Sequence, residues 1–177
     1  MEEVILMAKT DGLFVVGVGA SAGGIEAFEG LFRPMATECG MAFVVVAHLA
    51  PHRTSMLDEI LGRFTAMPVV QARDKAAVEA DHVYVIPPDN TLIIERGRLR
   101  LQPLASPHRT QHPIDLFFAS LAADRGDHAI GIVLSGGGSD GSLGIKAIKE
   151  HGGLAIAQGG DHSAPRHESM PASAIAT

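Results

Sequence analysis

Short apolar runs alternate along this chain with stretches in which apolar residues recur every three or four positions, the signature of strand-helix-strand units. Leu13 to Val18 predicts a buried first strand, and Gly24 to Met35 a helix with Ile25, Phe28, Leu31 and Phe32 on one face, ended near Pro34. Met41 to Ala47 predicts the second strand. Thr54 to Phe64 then reads as an amphipathic helix, capped by Thr54 or Ser55 and burying Met56, Leu57, Ile60 and Leu61. In the middle, Val83 to Ile86, Thr91 to Ile94 and Leu99 to Leu101 are joined by Pro87-Pro88-Asp89-Asn90 and Glu95-Arg96-Gly97-Arg98. Such close spacing predicts antiparallel turns rather than crossovers. Pro113 to Ala123 follows as a helix with proline in its first turn, then a strand over Ala129 to Leu134, a helix over Gly141 to Glu150 and a short strand over Leu154 to Ala157. The expected fold is α/β: a doubly wound, mainly parallel sheet with helices on both faces, and an antiparallel hairpin extension from the Tyr84 to Leu101 region.

With 177 residues, 46% of them hydrophobic, the chain is long enough for one domain with a substantial core. Residues 1–12 are expected to be an N-terminal extension and 13–177 the domain. A net charge of -6 without any Lys/Arg run argues against a nucleic-acid partner, because phosphate contacts need a clustered basic surface. Cys39 is the single cysteine, which excludes an intramolecular disulfide and a cysteine-rich zinc site and fits a reducing cytoplasm. No apolar stretch approaches bilayer-spanning length, and Glu2 and Glu3 stand where a secretory leader would carry basic residues. The chain stops at Ser173 to Thr177 in a helical pattern without a stop signal, as expected of a piece of something longer.

The candidate chemistry gathers where the predicted strands end. Ser21 lies in Gly19-Ala20-Ser21-Ala22-Gly23-Gly24, a G-x-S-x-G pattern that mounts a nucleophilic hydroxyl on a tight strand-to-helix turn. The same letters satisfy the loose dinucleotide pattern through Gly17, Gly19 and Ala22. His48 follows the second strand, where a dinucleotide fold wants an acidic residue, and no lysine follows the glycines as a Walker loop requires. Asp140 follows the strand ending at Leu134, after Ser135-Gly136-Gly137-Gly138-Ser139. Serine, histidine and aspartate are the nucleophile, base and orienting carboxylate of a catalytic triad. Each has a plainer reading: Ser21 as N-cap of the first helix, His48 bonded to a loop carbonyl, Asp140 capping the helix near Gly141. All three plain readings would have to coincide at neighbouring positions of one sheet edge. The order Ser, His, Asp differs from that of α/β-hydrolases, so the triad stands on another scaffold. Consecutive glycines let main-chain N–H groups converge, so Gly137 or Gly138 is a candidate to join Ala22 as an oxyanion hole.

These residues sit in motifs that resemble the catalytic domain of chemotaxis-type protein-glutamate methylesterases: GASAGG around Ser21, VVVAHL around His48, HVYVIPP from His82, HRTQHPIDLFF from His108, GIVLSGGGSDG through Asp140, the Ala155 to Gln158 stretch and Met170-Pro171. The resemblance runs from about Leu13 to Ala176. It implies Ser21 as nucleophile, His48 as general base and acid, and Asp140 as its orienting carboxylate. The implied reaction is hydrolysis of glutamyl methyl esters on methylated chemoreceptor-like cytoplasmic helices, with glutamine deamidation as a side activity and no cofactor. The wording from His108 to Phe118 is similar to members fused to a methyltransferase and sensor domains, which makes a receptor methyltransferase or sensor kinase domains candidate partners. Residues 1–12 are too few for a receiver domain, so phosphorylation control by an attached receiver is not expected. The chain departs from the family pattern at Ala22, Gly137, Gly159 and Ser169, where threonine, methionine, an acidic residue and glycine are usual.

The remaining histidines raise a metal hypothesis, since His108 and His112 are four apart and His162 and His167 lie together. Pro107 and Pro113 bracket the first pair, and no carboxylate or cysteine completes a ligand set in the sequence, so no metal is expected. Arg53, His108 and Arg109 are instead candidate substrate contacts. From a different class of function, a catalytically quiet regulatory or partner-binding module of a sensory protein is the alternative.

Overall fold

The computed structural model describes residues 12–47, 56–103, 112–160 and 162–177. Six strands form one parallel sheet: β1 (Phe14–Ala20), β2 (Met41–Ala47), β3 (Val69–Gln71), β4 (Val83–Val85), β7 (Ala129–Val133) and β8 (Leu154–Ala157), in the order β3-β4-β2-β1-β7-β8. From β1 at the centre the chain winds to β2 on one side and later returns to β7 on the other. The connections leaving β1 and β7 therefore diverge at their carboxyl ends, which opens the crevice where α/β sheets bind ligands. In register, Ala20 pairs with Ala47 and Gly19 with Val133.

Alternation of side chains along the strands splits the core in two. Val16, Val18, Phe43 and Val45 face α1 (Gly24–Phe32) and α2 (Leu57–Leu61) through Phe28, Phe32, Leu57 and Leu61. Val15, Val44 and Val46 face α3 (Pro113–Arg125), α4 (Ser142–Glu150) and α5 (Ser169–Ile175) through Phe117, Phe118, Ile148 and Met170. A 3₁₀ turn over Gly126–His128 leads from α3 into β7. The doubly wound expectation holds, with two local corrections in the first half. Ile25 and Met56, expected inside, are exposed, and Ala27 and Phe28 carry the buried face of α1. Residues 54 and 55, the expected caps of α2, lie outside the described residues.

The antiparallel extension is a separate two-stranded sheet, β5 (Asn90–Glu95) with β6 (Arg98–Pro103). It docks on α3: the N–H of Ile94 donates to Ser120 Oγ (3.1 Å) and that of Gly97 to Asp124 Oδ2 (3.1 Å). Val83 to Val85 is not part of it. That run is β4, parallel to both β2 and β3 and buried at all three residues. An unbroken apolar run is the mark of a strand covered on both faces, and the short link to β5 leaves the sheet instead of turning back along it. Strand β3 had no clear signal in the sequence, being three residues at an exposed edge.

Gly17 and Gly19, read above as half of a dinucleotide pattern, serve packing. A Cβ on Gly17 would lie 2.8 Å from Phe118 Cε1, and one on Gly19 2.5 Å from Ile114 Cγ2. The bare backbone of β1 lets the first turns of α3 lie flush on the sheet. Gly19→Ala is expected to lose about 1–3 kcal/mol of stability by overpacking, read as a lowered urea midpoint; an unchanged midpoint would contradict the close approach.

Candidate active site

Ser21 is the first residue beyond β1, and two hydrogen bonds set its backbone. Its N–H donates to Ser135 O (3.0 Å), continuing the β1–β7 ladder past Leu134 N–H to Gly19 O (2.8 Å), and its carbonyl accepts the N–H of Gly24 (3.0 Å). Between them the chain turns through Gly23, at φ 74°, where a Cβ would also lie 2.7 Å from Ser135 Oγ. Only glycine combines that left-handed backbone with that approach. Gly23 is the N-cap of α1, and no side chain caps the helix, so the plain reading of Ser21 as a helix cap does not apply. The turn presents a partly exposed hydroxyl at the carboxyl edge of the central strand.

Asp140 is 2% exposed, and its placement reverses the capping expectation. Its oxygens accept N–H groups from the first turn of α3: Ile114 N–H to Oδ2 (3.1 Å) and Asp115 N–H to Oδ1 (2.9 Å). Helix α4, which it precedes, has Gly141 as N-cap with no side-chain cap. The first turn of α4 is served by Asp115 of α3, whose Oδ1 accepts the N–H of Gly144 (2.8 Å). Two helices thus exchange carboxylates at their positive ends, where a negative charge is favoured. Burial pushes the Asp115 carboxyl above the ordinary carboxylate range; the Gly144 N–H pulls it back, and the charge of Asp140 raises it further.

His112, just before α3, brings its Nδ1 to 3.8 Å from Asp140 Oδ1 and 3.9 Å from Asp115 Oδ2. Contrary to the expectation that no carboxylate joins these histidines, Asp115 one helical turn on and Asp140 brought in by folding both approach His112, and one ligand atom of each of the three lies within 4.8 Å of the others. Both carboxylates also accept backbone N–H groups at the two helix starts.

The glycine loop runs along the other side of Ser21. Ser135, fully buried, donates its hydroxyl to Ala22 O (2.8 Å) and accepts the N–H of His167 (2.9 Å), while its own N–H donates to Gln158 Oε1 (2.8 Å). Of the candidate oxyanion donors, Gly138 N–H is engaged by Ser169 Oγ (3.1 Å). No acceptor for Ala22 N–H or Gly137 N–H occurs among the described residues. Arg166 pairs with Glu26 of α1 (2.6 Å), holding the 163–168 segment over the start of that helix. The Glu26 carboxyl lies below its ordinary range, first through a backbone N–H and then through Arg166 and His167.

His48, Arg53, His108 and Arg109 lie outside the described residues; Ala47, which precedes His48, pairs with Ala20, which precedes Ser21. Ser135, Asp115 and Gln158 escaped the sequence reading. A serine closing the apolar run of β7 was the one available signal for the first. The other two are made important only by partners 29 and 23 residues away.

The CheB methylesterase family model matches residues 16–177. A 104.1 kDa protein of Rhodobacter capsulatus is 46% identical over 118 residues, which are 67% of this chain and 12% of that protein. The protein-glutamate methylesterase/protein-glutamine glutaminase 1 of Myxococcus xanthus is 37% identical over 167 residues, 92% of this chain and 48% of that protein. This chain thus spans half or less of the length of those two relatives. The crystal structure of the Thermotoga maritima CheB methylesterase catalytic domain superposes with a TM-score of 0.81 at 26% identity, covering 93% of this chain and 88% of that one.

The Asp140 anchor makes its own prediction. In Asp140→Asn one acceptor oxygen becomes an NH2 group facing a backbone N–H, and the variant is expected to lose about 1–3 kcal/mol of stability. Urea denaturation measures this, and a midpoint equal to that of the wild type would refute the helix-start role.

Proposed function

The chain belongs to the CheB methylesterase family, and from that premise we propose that it is a serine hydrolase that demethylates glutamyl methyl esters on chemoreceptor-like proteins. Ser21 Oγ attacks the ester carbonyl while His48 takes its proton. Collapse of the tetrahedral intermediate expels methoxide, which His48 protonates to methanol. Water, deprotonated by the same imidazole, then attacks the acyl-enzyme and returns the glutamate carboxylate and free Ser21. Asp140 orients His48 and stabilises the imidazolium. The N–H groups of Ala22 and Gly137 receive the oxyanion, which has no need of the side chains that differ from the family pattern at these two positions.

The observation that carries this reading is the order of the central strands. β2, β1 and β7 are neighbours, so Ser21, His48 and Asp140 each follow one of three adjacent strand ends. The regulatory-module alternative draws less support, because the backbone donors at Ala22 and Gly137 remain uncommitted among the described residues. Glutamine deamidation follows from the same acyl-enzyme with ammonia as leaving group, in keeping with the name of the Myxococcus relative. The substrates are methylated cytoplasmic receptor helices, with a receptor methyltransferase or sensor kinase domains as partners. A cytoplasmic site of action goes with those substrates, and no described helix is long and apolar enough to cross a membrane.

Methanol release from a receptor fragment carrying isotopically labelled methyl esters tests the proposal. The wild type is expected to release label, and Ser21→Ala to lower the rate by on the order of 10⁴-fold or more, as when one member of a cooperating triad is removed. Near-normal release by Ser21→Ala would discard the assignment.

A further inference from the structure

We propose that Ser169 is a positioning residue whose hydroxyl pins the glycine loop, so that Gly137 and not Gly138 presents the N–H that receives the oxyanion. This rests on the serine-hydrolase reading above. Gly136, Gly137 and Gly138 have no side chains to hold them, and a glycine run carries the largest backbone entropy of any sequence. An oxyanion donor has to be in place before charge develops, and misplacement by about 1 Å costs on the order of 10²-fold in rate. Something outside the loop must supply the rigidity.

The segment 167–170 does so. Gly136 N–H donates to His167 O (3.1 Å), Met170 N–H donates to Gly136 O (3.1 Å), and His167 N–H reaches Ser135 Oγ (2.9 Å). Those bonds secure only the root of the loop. Its far side is held by Ser169, which accepts the N–H of Gly138 (3.1 Å) and donates to Gly136 O (3.3 Å). A hydroxyl is the smallest side chain able to make both bonds at once. The hydroxyl is not spent on its own helix, since α5 has Glu168 as N-cap and no side-chain cap. Gly137 lies between the two pinned residues with nothing within 4 Å of where its Cβ would be. The loop root also touches the nucleophile: a Cβ on Gly136 would lie 3.1 Å from Ser21 Cβ and 2.7 Å from Met170 Sδ. Displacement of the loop is therefore felt at the reacting hydroxyl.

The test compares Ser169→Ala and Ser169→Thr with the wild type in methyl-ester hydrolysis, together with inhibition by a glutamate-derived trifluoromethyl ketone that adds Ser21 to form a tetrahedral oxyanion. Ser169→Ala is expected to lower kcat by about tenfold or more with KM nearly unchanged, and to weaken the ketone by a similar factor. Ser169→Thr keeps the hydroxyl and is expected to regain most of both. A change in thermal midpoint without a change in kcat would mean that the residue is merely structural and would overturn the proposal, as would a loss confined to KM. If the wild type is active, Ser21→Ala is inactive and Ser169→Ala behaves as wild type, the Ser169 role alone falls; absence of methanol release from the wild type removes the hydrolase reading first.

Discussion

Asp140 stands in the loop that leads into α4, yet its oxygens accept N–H groups at the start of α3, while Asp115 of α3 accepts the N–H of Gly144 in α4. A buried carboxylate is tolerated only where hydrogen bonds replace its lost water. Here the replacement comes from orphan donors at helix starts, which need acceptors as much as the carboxylates need donors. Each such bond involves a charged acceptor and contributes about 1.5–3 kcal/mol. The exchange locks two of the three helices that cover one face of the sheet, and it fixes Asp140 beside β1 and β7 without reference to any substrate.

The second constraint is the thinness of β1. Glycines at positions 17 and 19 let Ile114 and Phe118 press against the strand, so the helix start that binds Asp140 sits close to the strand that delivers Ser21. Ser135 joins the parts from below. Its hydroxyl spans Ala22 of the Ser21 turn and His167 of the segment that braces the glycine loop, in a fully buried position where each of its polar atoms is matched. The Ser21 turn, Asp140 and the glycine loop are thereby referred to one rigid frame, the arrangement that the proposed catalysis requires.

Much of this was legible along the chain. The alternation of apolar runs and helical periodicity marked β1, β2 and β7 and the helices that follow them, because burial on two faces leaves a continuous apolar imprint; β8 was also marked by its apolar run, although Leu154 and Ile156 are exposed at the sheet edge. The tight turn at Ser21 was legible because a left-handed glycine and small neighbours are required there. Where the signal was local but shared by two structures, the reading went astray: Val83 to Val85 has the composition of any buried strand, and only its partners β2 and β3 make it parallel. Ile25 falls on the apolar arc of α1 by periodicity, but it is exposed, and Ala27, Phe28 and Phe32 carry the buried face.

By itself the sequence determined the class of fold, the turn that carries Ser21 and the grouping of serine, histidine and aspartate behind apolar strands, since these depend on neighbours along the chain and on the two periodicities of 2 and 3.6. Tertiary structure decided which helix Asp140 serves, which carboxylates surround His112, that Gly17 and Gly19 make room for α3 in place of a pyrophosphate, and that Ser169 engages Gly138. Except for His112 and Asp115, which are near neighbours along the helix start, those are contacts between residues 25 to about 100 positions apart, selected by strand order and by the depth to which one helix sinks onto the sheet. No local pattern encodes that depth; it emerges only when the side chains absent from β1 are set against those present on α3.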